Sequence, residues 1–333
     1  MDRVEFMKRV AIAVAIATIP FLLWYFRSVV LVAVGAMLLS VVLDLMSQPL
    51  RWCRLPRAAS VALTLVLLFA LMGAAGYVFG TTLSNEMQDV VDRADLAART
   101  IAGDLQGSRW GAAVLKRIDA SQLSLASWAG NIVSVSSSLF ASIVVMIGMG
   151  GYIVAQPALY RAEFRKLLPR RSAEWVEMTA GHIAASLKLW CIGQAIQMLL
   201  VGALTTLAVW LIGLPSPVAL GVIAGLAEFI PYVGPLIAAL PALLVATSQG
   251  WSLLAWTVVA YVAIQQIEGN LLLPVIQRRL VAIPPATMLF GILVVGAFFG
   301  LQGVVFAAPI TVMVYATMEN QARSKARGPC TCE

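Results

Sequence analysis

Glu228-Phe-Ile-Pro-Tyr-Val-Gly-Pro235 lies inside an apolar run over residues 217–246. The run is long enough to cross a bilayer, whose hydrocarbon core of ~30 Å takes about 20 helical residues. Where a plain anchor would carry leucine, this run carries a carboxylate, prolines and a glycine. Pro231 and Pro235 lack a backbone N–H, and Gly234 tolerates conformations that other residues avoid. The stretch therefore predicts a helix that stops near Phe229 and a second that starts near Pro235. Irregular backbone at membrane depth survives only where protein buries it or a watery cavity receives its polar groups. Half-helices aimed at such a cavity are how many secondary transporters hold solute. The plainer alternative is a proline kink with Glu228 snorkelling toward one interface.

The whole chain suits that setting. Of its 333 residues 61% are hydrophobic and 12% charged, against roughly 25% charged in ordinary soluble domains. Nothing alternates as a membrane barrel strand would. The expected class is an all-α polytopic membrane protein. The net charge of +7 fits cytoplasmic loops enriched in Lys and Arg, and no basic tract is dense enough to hold nucleic acid. The only histidine is His182, and Cys330-Thr-Cys332 has no second ligand cluster, so neither a metal nor a cofactor is expected.

From the start, Arg3, Lys8 and Arg9 favour a cytoplasmic N-terminus, followed by spans at 10–26, 29–46 and 58–80. Arg51, Arg54 and Arg57 place the loop after the second span in the cytoplasm. Residues 81–137 change character, with apolar side chains at helical spacing between acids and bases of nearly balanced charge, an amphipathic helical insert suited to the outer side. Residues 139–156 form a fourth span, and Arg161, Arg165, Lys166, Arg170 and Arg171 bring the chain back inside. An amphipathic helix over 172–189 precedes a fifth span at 189–214, and Leu214-Pro-Ser-Pro217 is a tight turn.

Charge parity then bears on the opening stretch. A single crossing by 217–246 would put Arg278, Arg279 and the basic tail outside. A re-entrant hairpin hinged at 231–235 keeps both inside, as the positive-inside bias prefers. A sixth span over 251–267 ends in Glu268-Gly-Asn270, and Pro284-Pro285 marks another break. Residues 286–299 and 304–318, joined by Gly300-Leu-Gln-Gly303, are either two spans or a second hairpin. The expected total is about eight spans with one broken hairpin. The regions are scaffold helices at 1–80, the insert at 81–137, a span with a basic segment at 138–189, a transport core at 190–319 and a disordered cytoplasmic tail at 320–333.

Several of these pieces recur together with the intervals of a known family. Gly193-Gln194, Gly213-Leu-Pro215, the run Gly225 to Pro235, Ile267-Glu-Gly-Asn270 with Pro274, and Gly300-Leu-Gln-Gly-Val-Val-Phe-Ala-Ala-Pro309 follow one another in that order. The pattern resembles the autoinducer-2 exporter family over nearly the whole chain, most densely over 188–318. Arg278 and Arg279 depart from it, standing where the family has a small, glycine-containing stretch. The resemblance implies a bacterial inner-membrane carrier with an outward helical insert, assembled as a homo-oligomer, a pentamer. It also implies export of autoinducer-2-like molecules or exchange of sodium or lithium for protons.

The site candidates follow from the cost of polar groups in lipid, at least ~2.5 kcal/mol for a central charge. Glu228 could bind a cation, a proton or a hydroxyl-rich solute, or merely cap broken backbone. Glu268 and Asn270 could contact solute or only end a helix. Gln194 and Gln197 are three apart and share a helix face, which suits either a sugar-like guest or interhelix bonds. Tyr232 could stack on a small polar solute or anchor the tip formed with Pro231, Gly234 and Pro235. Gly269, Pro274 and Pro284 are the candidate hinges. No Gly-rich Lys-Ser/Thr loop points to ATP drive, and no Ser/His pairing or His/Cys cluster points to an enzyme. The expected partners are the lipid bilayer, a small polar solute, and a monovalent cation or proton. A passive channel and a non-transporting membrane scaffold are the alternatives of another class.

Overall fold

In the computed structural model, residues 25–70, 88–93, 142–167, 169–275 and 283–326 are described, together with the isolated positions 18, 74 and 96. The first span expected at 10–26, most of the insert at 81–137, the pair Arg278 and Arg279, and Cys330 and Cys332 lie outside them. Every regular element among the described residues is helical. We number them α1 (Arg27–Trp52), α2 (Arg57–Ala70), α3 (Ser142–Ala155), α4 (Pro157–Leu167), α5 (Arg170–Ile212), α6 (Pro217–Ala227), α7 (Gly234–Gln249), α8 (Trp251–Ile267) and α9 (Pro285–Ala326). By length and apolarity four stretches among the described residues could cross a membrane, or five if the bent pair α3 and α4 counts as one.

Two compact units divide the chain, one of residues 1–45, 142–187 and 284–333, the other of 46–141 and 188–283. In the first, α1 and α3 approach closely through small residues. A Cβ on Gly150 would stand 3.0 Å from the Ala36 carbonyl oxygen and 3.2 Å from the Ser40 nitrogen. The polar first turns of α5 meet the end of α9, where Asn320 Nδ2 donates to Thr179 Oγ1 at 2.9 Å and His182 Nε2 lies 3.6 Å from Glu319 Oε2. Helix α9 runs on to Ala326, past residue 320, where the sequence predicts a disordered tail; the contacts of Glu319 and Asn320 hold this end in helical register.

Gly300, at φ 67 and ψ −152, breaks α9. A straight helix would separate residues 291 and 311 by about 30 Å, yet a Cβ on Gly291 would strike the Thr311 side chain, and one on Gly296 would lie 2.9 Å from Val304 Cγ2. The arms 285–299 and 301–326 therefore fold back on each other. Only a residue comfortable at positive φ makes this corner without strain.

In the second unit α5, α6, α7 and α8 run alternately up and down. Gly213 at φ 79 and Ser216 at φ 59 make the turn from α5 to α6, and Pro217 starts α6 where its missing N–H costs nothing. Backbones of α5 and α6 touch, since a Cβ on Gly225 would stand 2.8 Å from the Met198 carbonyl oxygen and one on Gly202 3.1 Å from that of Gly221. Ala219 and Leu220 of α6 share a buried cluster with Ala242, Val245 and Ala246 of α7, while Ala224 clusters with Ala238. These pairings are symmetric about Pro231, so α6 and α7 form a helical hairpin with its tip at 228–233. Val90, from the described piece of the insert, belongs to the cluster at the end away from that tip.

Two boundaries differ from the sequence reading. The amphipathic segment at 172–189 and the span at 189–214 are one continuous helix of 43 residues, because no proline interrupts them. Glu268-Gly-Asn270 does not end the sixth span. The helix passes through a π-turn, Glu268–Leu272, and continues to Val275. Pro274 supplies the reason: with no N–H it cannot bond the carbonyl one turn back, and a wider turn re-satisfies the backbone. Leu273 N–H accordingly bonds the Glu268 carbonyl, five residues earlier.

Candidate functional site

The hairpin tip sits where the backbone runs out of helical donors. Helix α6 ends at Ala227, and Glu228 closes it with its N–H on the Ala224 carbonyl. Phe229 and Ile230 tighten the last turn through the Leu226 and Ala227 carbonyls, and Gly234 N–H bonds the Ile230 carbonyl at 2.8 Å. Tyr232 takes φ 66, a left-handed conformation that costs a non-glycine residue about 1–3 kcal/mol and gathers at functional sites. Gly234 must lack a side chain, because a Cβ there would strike the Ala227 carbonyl. Pro235 then opens α7 as Pro217 opens α6.

Helix α5 holds the tip from the side. The Trp190 and Phe229 rings meet edge to face, 6.0 Å between centroids at 72°. Gln194 Nε2 donates to the Glu228 backbone carbonyl at 2.6 Å, so this amide caps the broken helix. One turn on, Gln197 Nε2 donates to Glu228 Oε1 and to Glu268 Oε1, both at 2.9 Å. The π-turn of α8 thus brings its carboxyl group to the same amide as the tip's. Gln265 Nε2, three residues before Glu268, donates to Glu268 Oε2 at 2.8 Å.

Glu228 is 0% exposed and Glu268 6%. No ion pair joins either to a basic side chain among the described residues. Among the described residues no group donates to Glu228 Oε2, which is buried. Two acids this close, out of water and held by a neutral amide, attract any positive charge that can reach them. Tyr232, half-buried, stands within electrostatic reach of Glu268.

The structure thus gathers Gln194, Gln197, Glu228 and Glu268 in one place. Asn270 is not with them: it is exposed, and its Nδ2 bonds Gln266 Oε1 at 3.1 Å along the same helix. Two residues apart on one helix, Asn270 and Glu268 face opposite sides. Gly269 lies inside that turn, Pro274 in the last described turn beyond it. Pro284 precedes α9, where its carbonyl accepts from Thr287 and Met288. Gln265 and Trp190 escaped the sequence reading. For Gln265 the signal was present, an amide three residues before a buried acid on one helix face; for Trp190 nothing in the sequence pairs it with Phe229.

Apolar helices of spanning length and a half-helix tip with buried acids define a multi-pass helical membrane protein of the transporter class. The chain belongs to the AI-2E family of transporters, whose model matches residues 11–323. It is 28% identical over 276 residues to YrrI, a candidate transport protein of Bacillus subtilis, covering 79% of this chain and 78% of that one. A candidate transport protein of Thermotoga maritima is 25% identical over 280 residues, 83% of this chain and 86% of that one. PerM of Escherichia coli K12, a candidate permease, is 26% identical over 201 residues, 56% of each chain.

Proposed function

We propose that the chain is a secondary transporter of the bacterial inner membrane that carries a small polar solute, of the autoinducer-2 kind, at the tip of the α6–α7 hairpin. One observation carries this reading: Glu228, wholly buried, shares the Gln197 amide with Glu268 and meets no fixed cation among the described residues. Such an arrangement is costly in a purely structural role, because each buried charge without a counter-charge is penalised by several kcal/mol. A passing guest would supply the missing partner. Helices α6 and α7, 11 and 16 residues long, reach about 16 and 24 Å at 1.5 Å per residue, short of a ~30 Å core. We therefore read them as re-entrant, with the tip deep in the membrane. Gln194, Gln197, Tyr232 and the acid pair would offer donors and acceptors to the solute, while Pro231, Gly234 and Pro235 shape the tip and Gly269, Pro274 and Pro284 let the helices flex.

The same acid pair favours a second reading, exchange of sodium or lithium for protons, since a carboxyl pair can take either kind of positive charge in turn. Around this core the proposal places about eight spans, both termini in the cytoplasm, the 81–137 insert outside and a homo-oligomer, a pentamer. Reconstitution into proteoliposomes under an imposed pH gradient tests the function. Accumulation of autoinducer-2-like sugars is expected, or of sodium if the exchange reading holds. Unsaturable leak of both would point to a passive channel and overturn the carrier. Labelling of single cysteines from each side, in a chain freed of Cys53, Cys191, Cys330 and Cys332, tests the topology. Residues 214 and 250 reacting from the same side is the expected result.

A further inference from the structure

Resting on the carrier-site reading above, we infer that Glu228 and Glu268 are an unequal pair: Glu228 Oε2 takes up one proton or monovalent cation, and Glu268, which already has a donor on each oxygen, does not. Counting donors separates them. A primary amide has two hydrogens, and Gln197 gives one to each Oε1. Gln265 covers Glu268 Oε2 at 2.8 Å. Glu268 therefore has a donor on each oxygen, and both donors are neutral. They stabilise an anion without cancelling its charge.

Glu228 has one covered oxygen and one bare. Its Oε2 is buried and receives no donor among the described residues, on a residue with no exposed surface. A buried acceptor left unpaired carries its full desolvation penalty. A proton bonded there, or a cation resting against it, removes that penalty and meets the negative charge of the neighbouring acid. The carbonyl end of α6 adds partial negative charge at the same point.

The chemistry also argues against calcium. No group of three His, Cys, Asp or Glu gathers among the described residues. Two carboxyl groups and amide side chains fall short of the roughly six to eight oxygens that calcium takes. The amides at 194, 197 and 265 supply no charge of their own. A proton, sodium or lithium is therefore the guest assigned to Glu228 Oε2, beside the solute that the carrier reading places at the tip.

Infrared difference spectra of the full chain in lipid nanodiscs test this, with acid steps and with sodium, lithium or choline chloride as the probe. The wild-type chain is expected to gain a protonated-carboxyl C=O band on acidification, which sodium or lithium, but not choline, reduces. Glu228→Gln is expected to lose the band and the cation effect. Glu268→Gln is expected to keep the band with its midpoint moved, and Glu228→Asp to keep both signals; thermal unfolding checks that each variant is folded. A folded Glu228→Gln protein that keeps the band, or a folded Glu268→Gln protein that lacks it, overturns the assignment. Titration in the expected order without any coupled flux would uphold the unequal pair and remove the carrier reading instead.

Discussion

Two helical hairpins of this chain are built alike and finished differently. In both, an apolar helix folds back at a short break, 228–233 between α6 and α7 and Gly300 within α9. In both, small residues let the arms or their neighbours touch. Yet the α9 hairpin carries no Asp, Glu, Lys, Arg or His from 285 to 318, and its interior is mostly apolar, with Met288, Ile292, Val295, Ala307, Ala308 and Val312. Its corner needs one glycine. The α6–α7 tip instead takes six residues, a strained Tyr232, an amide cap from Gln194 and an acid held by Gln197. A corner that only has to turn the chain is apolar and brief. The longer polar tip holds groups that lipid would reject, and function explains their presence better than folding does.

The contrast can be tested by loss. Glu228→Gln should lower transport by about 100-fold, equivalent to some 3 kcal/mol, in proteoliposome flux. Gln302→Leu beside the other corner should leave flux within about twofold, a difference of less than 0.5 kcal/mol; equal losses would dissolve the distinction. Gly234→Ala should cost about 1–3 kcal/mol by overpacking, read as a lower thermal midpoint, because its Cβ meets the backbone carbonyl of Ala227, which has nowhere to go. Gln194→Leu leaves the Glu228 carbonyl without its donor and should cost about 1–2 kcal/mol, with flux reduced at the same time. Gly300→Ala should lower thermal stability by about 1 kcal/mol through left-handed strain while flux at permissive temperature is kept.

Much of the fold was legible because its causes are local. Apolar runs of spanning length must be helices where no water meets the backbone, and Pro231, Gly234 and Pro235 must interrupt one. Leu214-Pro-Ser-Pro217 marks a turn for the same stereochemical reasons. The misreadings arose where a local signal had a non-local answer. Glu268-Gly-Asn270 looked like a helix end before Pro274, but a π-turn absorbed the proline's missing donor and the helix went on. Asn270 looked like a companion of Glu268, yet once the helix continues through both, two residues apart, it faces the other side and bonds Gln266. Gly300 left two spans or a re-entrant hairpin equally open, and the meeting of Gly291 with Thr311 shows that the two arms fold back on each other, as either arrangement requires.

By itself, then, the sequence determined a helical membrane protein, the place of its central break and the acid beside it, because hydropathy and backbone stereochemistry act over a few residues. The tertiary structure alone decided that Glu228 and Glu268, forty residues apart in the chain, share one amide of Gln197. Close packing of α5, α6 and α8 sets which side chains converge, and no periodicity along a chain encodes which helix becomes whose neighbour.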